Sequence, residues 1–587
     1  MNARIRVAAL MPLVTALVIA PLACRPKQSP VSPASQPAGD LIAPPRSGEE
    51  VLGPFTPTDR GSCVGSREGQ HLAWVAERGQ KKQVYLDGRP VGTAQETAWG
   101  LTLSPEGEHV AFMIRSDNRW KILRDGRPGA LHDDIKQVTV EMLFSGGNHK
   151  LECTPEKRPG TPVALFSPDG RRMAYAAQEA GKWRVWIDDQ PGPEFDGIGT
   201  EMNLGMVFSP DSKHFAYVAR KGDKWLVVVD GQQGPEFGGV GLSAYGGPVF
   251  SSDSRHLAYL GGRDKQCFVV LDGHVSPPYE SVLVSRLSSL PVLFSPDGTR
   301  NAYFAKAAGK WRVVVDGKAG DKTYDMVPEE LAFSADGRRL ACDAEVRDLD
   351  GPTGPERITG MDAQRPPAEF FHCLDLAFSP DGSRFAHVAG PGGARCVVVD
   401  GNTGPPYQSI SSWSLKFSPD SKRFAYGAQI LKPGYMKYVM VVDGKAGPGY
   451  DSMGEICFSP DSKHSAYRAA IYGLPSREFL VVDGQEELQS QPVLWARFTS
   501  DSNHLVALTW DSTLSKDGKQ WMVVDGRAGP KYDFIVCPST SGKIADSYLA
   551  VRDKTLYRVA LAGLDQPAPW PTAASGPATR PGVTGKP

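Results

Sequence analysis

The phrase F-S-P-D-[GS]-x-[RH]-x-A-Y returns about every forty residues down most of this chain, ahead of a V-V-V-D-G run or a variant of it such as V-M-V-V-D-G. It stands at Phe166 to Tyr175, Phe208 to Tyr217, Phe294 to Tyr303, Phe417 to Tyr426 and Phe458 to Tyr467, with looser copies between and around them. Aligned on Phe166, the units start at Gly65, Leu103, Phe166, Phe208, Phe250, Phe294, Phe333, Phe378, Phe417, Phe458 and Phe498. The steps are mostly 39 to 45 residues, and the one of 63 marks an insertion near Leu131 to Pro162. A repeat of this length is one supersecondary unit that cannot bury its own apolar face, so the chain is an array.

Within a unit, Ser-Pro-Asp-Gly suits a type I turn: Pro presets φ, and Ser and Asp accept backbone hydrogen bonds. A short strand such as Arg423 to Tyr426 follows, and its Ala leaves room for a closely packed neighbour. The V-V-V run reads as a buried strand ending at an Asp-Gly turn, as at Asp230-Gly231 and Asp316-Gly317. A Gly-Pro-x-aromatic step (Gly192 to Phe195, Gly447 to Tyr450) is expected to lead into a last short strand of the unit.

Four short antiparallel strands per forty residues predict an all-β β-propeller of about 11 to 12 four-stranded blades. The F-S-P-D-G-x-x-x-A-Y phrase resembles the WD40-like repeat of TolB-type propellers over roughly residues 53 to 560. The resemblance implies the propeller fold and leaves function open, because that repeat serves many roles. Propellers commonly have four to eight blades. Two tandem propellers are therefore expected, residues 53–328 and 329–561, with one oversized ring as the alternative. Gly53-Pro54-Phe55 looks like the last-strand step of a blade whose other strands come from Val536 to Leu561, so the two ends should close one blade.

Residues 1–23 read as a signal peptide: Arg4 and Arg6 precede an apolar stretch from Val7 to Ala23 that Pro12 and Pro21 break. The placement of Cys24 resembles a bacterial lipoprotein signal, which implies lipidation of Cys24, export, and an outer-membrane anchor in the periplasm or at the cell surface. Residues 24–52 form a Pro- and Ser-rich tether, and 562–587 a disordered tail of similar composition.

The candidate chemistry is spread thinly. Lys plus Arg (65) against Asp plus Glu (66) gives no basic stripe, which speaks against nucleic acid. The seventh position of the repeat is always His or Arg and the fourth always Asp or Glu, so the two are expected to pair or to share backbone hydrogen bonds across one tight turn. That absorbs six of the eleven histidines (His71, His109, His214, His256, His464, His504), and the rest show no metal-ligand spacing. No calcium loop, nucleophile elbow or phosphate loop is present, so neither metal nor cofactor is expected. Trp120, Trp183, Trp225, Trp311 and Trp521 begin the V-V-V strand and are expected to cover blade edges rather than stack ligands.

The expected role is a non-catalytic binding or scaffolding protein of the cell envelope, with proteins or peptides held at a propeller face and the membrane reached through the lipid anchor. A propeller lyase or glycosidase acting on polysaccharide is the alternative, and a purely structural envelope protein a third reading. An enzyme would gather residues that break the repeat: Asp188-Asp189, His387 in place of tyrosine, and His132, Asp133 and Asp134.

Overall fold

The structure, a computed structural model, describes residue 46 and residues 48–561 apart from interior stretches, of which 137–162 and 359–375 are the longest. The signal segment, Cys24, most of the tether and the tail lie outside the described residues. The described strands form twelve antiparallel sheets, each built from one repeat. We number these blades 1 to 12: 63–94, 98–128, 134–191, 197–233, 239–275, 281–319, 331–358, 376–403, 409–446, 452–489, 493–528, and 534–560 together with 49–54.

Blade 4 shows the plan. Its first strand is in two pieces, Gly197–Ile198 and Val207–Phe208, both paired with the second strand, Phe215–Lys221. The second pairs with the third, Lys224–Val229, and that with an outer strand of two residues, Gln232–Gln233. The repeat's small residues explain the spacing: Ala174, Ala216, Ala258, Ala302, Ala386, Ala425 and Ala466 are each 0% exposed, where neighbouring sheets close on one another. Asp230 (φ 48°) and Gly231 (φ 83°) form the turn between third and outer strands, both left-handed as a type I′ hairpin requires.

One strand assignment is corrected. The Gly-Pro-x-aromatic step does not lead into the last strand of its own unit: the outer strand precedes it, and the segment after it is the first strand of the next blade. The aromatic residue instead bridges back to the start of the third strand, Phe195 to Trp183, Phe237 to Trp225 and Tyr450 to Tyr438. Its ring packs edge-on against the A-Y tyrosine of the following blade, as in Phe195–Tyr217 and Tyr450–Tyr467. The glycine of this step is small for a reason: a Cβ at Gly192 would lie 2.9 Å from the Val185 carbonyl and 3.6 Å from the Tyr217 hydroxyl.

Packing runs from each blade to the next. Val84 meets Phe112 between blades 1 and 2, Tyr217 meets Phe195 between 3 and 4, and so on around. Blades 6 and 7, on either side of residue 328, meet through Phe304, Leu331 and Leu340 like other neighbours. Blades 7 and 8 are joined by Arg339, whose guanidinium lies 5.4 Å from the Phe378 ring. Blade 12 then packs on blade 1 through Leu549 and Val551 against Trp74 and Tyr85. The described blades thus follow one another in a cycle, as in the single-ring alternative; the expected boundary at 328/329 lies outside the described residues, and the described blades on either side of it meet like other neighbours. The reason is local: the strands that resume at Leu331 carry the same inward apolar positions as those before.

Closure by the two chain ends is as expected. The strand Glu49–Pro54 pairs with Thr555–Ala560 and completes blade 12 from outside. Glu49 is sealed there, accepting from the Tyr532 hydroxyl at 2.6 Å and from Arg552 at 2.7 Å. Burial raises the Glu49 carboxyl, but those hydrogen bonds and the Arg552 charge outweigh it and hold the group below its usual value.

Candidate functional site

Most of the repeat's polar residues are spent on structure. Ser167 caps its own turn: its hydroxyl accepts from the Arg172 N–H at 3.0 Å and donates to Asp169 at 2.6 Å. The expected pairing across this turn is corrected. The basic seventh residue reaches instead to the Asp-Gly aspartate at the far end of the hairpin: Arg172 Nε to Asp188 at 3.0 Å, His214 Nδ1 to Asp230 at 2.7 Å, His504 Nδ1 to Asp525 at 2.6 Å. The second carboxylate oxygen takes a backbone N–H, such as that of Met173 or Phe215, so each aspartate clamps two turns of one blade. A carboxylate only accepts, which places the proton on Nδ1 in each His clamp. The turn aspartates are held by their neighbours: the Ser209 hydroxyl and Lys213 N–H bring Asp211 down to about 2.

The clamps also join blades. Arg172 Nη1 donates to the Ser212 and Lys213 carbonyls of the next blade, and its guanidinium lies 5.5 Å from the Phe208 ring. Arg384 and Arg423 repeat the arrangement one blade at a time, over Phe417 and Phe458. Where the turn has Ser instead of Gly, the residue is left-handed (Ser212, φ 66°), and its hydroxyl accepts the Asp169 N–H of the blade before.

The residues singled out as possible catalytic departures are not brought together. Asp188 is the clamp aspartate of blade 3. His132 belongs to the repeat rather than to the insertion: it fills the aromatic position of blade 2, is 0% exposed, bridges to Trp120, and meets Tyr175 and Glu179. It lies at the opposite end of the sheets from Asp188, since Trp120 opens its third strand whereas Asp188 follows the end of one. Asp133 accepts the Ala180 N–H, and Asp134 bonds the N–H of Ile135. His387 is buried in blade 8 against Phe385, and burial alone drops its pKa to about 4. The five tryptophans sit within the clusters between blades, as expected of edge cover. Cys24 lies outside the described residues. Among the described residues no group of His, Cys, Asp and Glu is arranged to hold a metal ion.

What stands out is a contrast that the repeat alignment alone passes over. From basic residue to clamp aspartate is 16 residues in blades 1 to 6 and in blade 8. In blades 9, 10 and 11 it is 20, 19 and 21. The extra residues fall at the tip of the hairpin between second and third strands. In blade 9 they lengthen the hairpin itself, to Phe424–Lys432 and Tyr435–Val442.

Those three tips expose apolar side chains. Leu431 is 66% exposed, Tyr435 54%, Met436 41%, Tyr472 63%, Trp510 39% and Leu494 38%, six of the nine large apolar residues exposed among the described residues. All lie at one end of their sheets. Lys432–Tyr435, Ile471–Arg477 and Trp510–Gln520 are the last pairs of their hairpins, and Leu494 bulges beside Val493, opposite Thr509. The tips of blades 1 to 6 read E-R-G-Q-K-K, R-S-D-N-R-W, Q-E-A-G-K-W, R-K-G-D-K-W, G-R-D-K-Q-C and K-A-A-G-K-W, in which the exposed residues are polar or small and the Trp and Cys side chains are at least half-buried. We term the apolar sector of blades 9 to 11 the crest. Its cations are close by: Lys437 pairs with Asp451 at 2.7 Å under the Tyr435 ring, and Arg477 is exposed beside Tyr472. The sequence signal was present as the spacing from seventh position to Asp-Gly, which an alignment on the first phenylalanine does not show.

No family model and no curated protein matches this chain. Among solved structures it is similar to a eukaryotic initiation factor (TM-score 0.30, 13% identity, 72% of this chain and 96% of that one). It is also similar to the β-propeller domain of Myceliophteria thermophila Cps50 (Swd1) (TM-score 0.22, 13% identity, 45% of this chain and 92% of that one). A third is a putative TolB from Agrobacterium tumefaciens (TM-score 0.20, 18% identity, 38% of this chain and 84% of that one). At such scores the likenesses carry no weight for function. The chain is an all-β propeller on the evidence of its own sheets.

Proposed function

We propose that this chain is a non-catalytic binding and scaffolding protein of the cell envelope, a rigid disc that holds protein partners on propeller surfaces. The observation that carries the reading is the crest. The repeat spends its His, Arg and Asp residues on clamps, and three adjacent blades break the pattern to expose apolar tips. Exposed apolar side chains gathered at one end of three adjacent blades are what a docking site presents. The envelope address rests on the signal-like segment Val7 to Ala23 and on Cys24, which would be the lipid attachment site. Of the departures from the repeat that an enzyme would gather, Asp188 clamps blade 3, His132 meets Tyr175 of the next blade and His387 lies against Phe385 in blade 8, three separate places.

The test is photo-crosslinking of the full chain in intact cells, with probes on both faces, at Tyr472 on the crest and at Lys213 on the clamp-turn face. A stoichiometric protein adduct from either face supports the scaffold. Cleavage of an envelope polysaccharide by the purified chain, with no protein adduct, would replace it with the enzyme.

A further inference from the structure

We propose that the joint between blades 2 and 3 is an acid-operated hinge of the ring, with His132 as the group that takes the proton. The inference goes beyond the scaffold reading and does not depend on the crest.

At other joints the slot of His132 holds a ring that does not titrate near neutral pH, such as Phe195, Phe237, Tyr407 or Tyr532. The His132 backbone is fastened to blade 2: its N–H donates to the Trp120 carbonyl at 2.7 Å, and its carbonyl accepts from the Trp120 N–H at 2.8 Å. Its side chain belongs to blade 3, between Tyr175 and Trp186, with ring centres 5.6 and 4.9 Å away. The imidazole is thus a link from blade to blade, and it is 0% exposed.

Both ring nitrogens are engaged. Glu179, which ends the second strand of blade 3, lies 3.1 Å from Nδ1, and the Tyr175 hydroxyl 3.3 Å from Nε2. A carboxylate only accepts, so Nδ1 carries the proton and Nε2 accepts from Tyr175. Burial first, then the Asp189 and Glu179 charges, push the Tyr175 hydroxyl well above its usual value, so it keeps its hydrogen and donates. The neutral imidazole satisfies both neighbours.

A second proton has no such place. It would sit on Nε2, facing the Tyr175 O–H, and the hydroxyl would have to turn its hydrogen into the apolar packing around Ile135, Val163 and Met173. The charges around the ring are divided. Glu179 and Asp133 favour an imidazolium, and Arg119, 3.4 Å from Asp133, opposes it. Lys182, opposite Glu179 in the hairpin, is turned to Asp196. Trp120 and Trp186 bring no charge, and the Trp186 indole N–H is itself buried without a partner. Burial is the largest influence and holds His132 below its usual value of 6.5. The grip of this joint is therefore complete above pH 6.5 and weakens as the pH falls, because only an opened joint gives the imidazolium water.

Hydrogen exchange on the purified full chain tests this at about pH 7.5 and about pH 5, with labelling times scaled to the intrinsic exchange rate. The expected result is a loss of protection of about tenfold or more at the lower pH in residues 119–124 and 173–187, with residues 215–229 of blade 4 unchanged. His132→Phe, which installs the residue type of the Phe195 slot, should abolish the loss. Glu179→Gln keeps an acceptor for the Nδ1 proton but removes a charge that favours the imidazolium, so it should enlarge the loss. Equal protection at the two pH values, a loss shared equally by blade 4, or a loss that persists in the His132→Phe chain overturns the proposal. So does a loss that Glu179→Gln abolishes, since the carboxyl would then be the group that takes the proton.

Discussion

Blades 1 to 6 and blades 9 to 11 share one framework and differ at one end. In both regions a basic residue clamps an Asp-Gly aspartate, a turn serine or threonine caps itself, and apolar side chains fill the joint to the next blade. Only the hairpin tips part company, polar at a spacing of 16 residues and apolar at 19 to 21. The lesson is that the array separates stability from recognition. Clamps and joints hold each blade whatever its tip carries, so three tips are free to change.

The clamps are the strongest way to break that separation. In blade 11 the His504 and Asp525 side chains are 2% and 9% exposed. Asp525→Ala removes a buried charge from a buried partner and should cost about 3–5 kcal/mol, read by chemical denaturation. In blade 4 the same clamp is open to solvent, and Asp230→Ala should cost about 1 kcal/mol. Equal costs would mean that burial does not set clamp strength.

Next in size is a pH effect in blade 8, between the two regions. Burial holds the His387 pKa at about 4, below its usual 6.5. Its neutral form is the one the fold accepts, so its contribution is complete above pH 6.5 and declines as pH falls towards 4. The slope is at most about 1.4 kcal/mol per pH unit. His387→Tyr, which restores the residue of the other blades, should flatten the acid limb of a stability-against-pH curve. An unchanged limb would show that His387 carries no protonation cost.

The smallest effect on stability, and the sharpest on the comparison, belongs to the crest. Tyr472→Asp or Leu431→Asp should change stability by no more than about 0.5 kcal/mol, since both side chains are largely exposed. The same substitutions should abolish docking, read as loss of slowed hydrogen exchange at the remaining crest tips in the envelope. A polar exchange on a blade 4 tip, Lys221→Asp, should change neither.

The fold was largely legible in the sequence because its signals are local. Turn chemistry, the small alanine and the valine run each sit within a few residues, and the closing strand declared itself through Gly53-Pro54-Phe55. The clamps were not legible in the same way. His or Arg has an acidic neighbour three residues earlier in every unit, yet its partner is the aspartate across a hairpin, because the turn carboxylate is already held by the serine hydroxyl and a backbone N–H. The strand after the Gly-Pro-x-aromatic step opens the next blade instead of ending its own for a related reason: the aromatic bridges backward while the chain moves on. The crest lies in the part of the unit that an alignment on Phe and Asp-Gly treats as variable length. Which side chains it exposes depends on where those extra residues emerge, and that is a property of the folded hairpins.

The most direct test is hydrogen exchange on the full chain in its native envelope, compared with the same chain purified in detergent-free buffer after extraction. The account predicts slowed exchange in the envelope at the tips around Leu431, Tyr435, Tyr472 and Trp510, with the tips of blades 1 to 6 unchanged. Protection spread evenly over all tips, or confined to blades 1 to 6, would contradict a docking surface on blades 9 to 11.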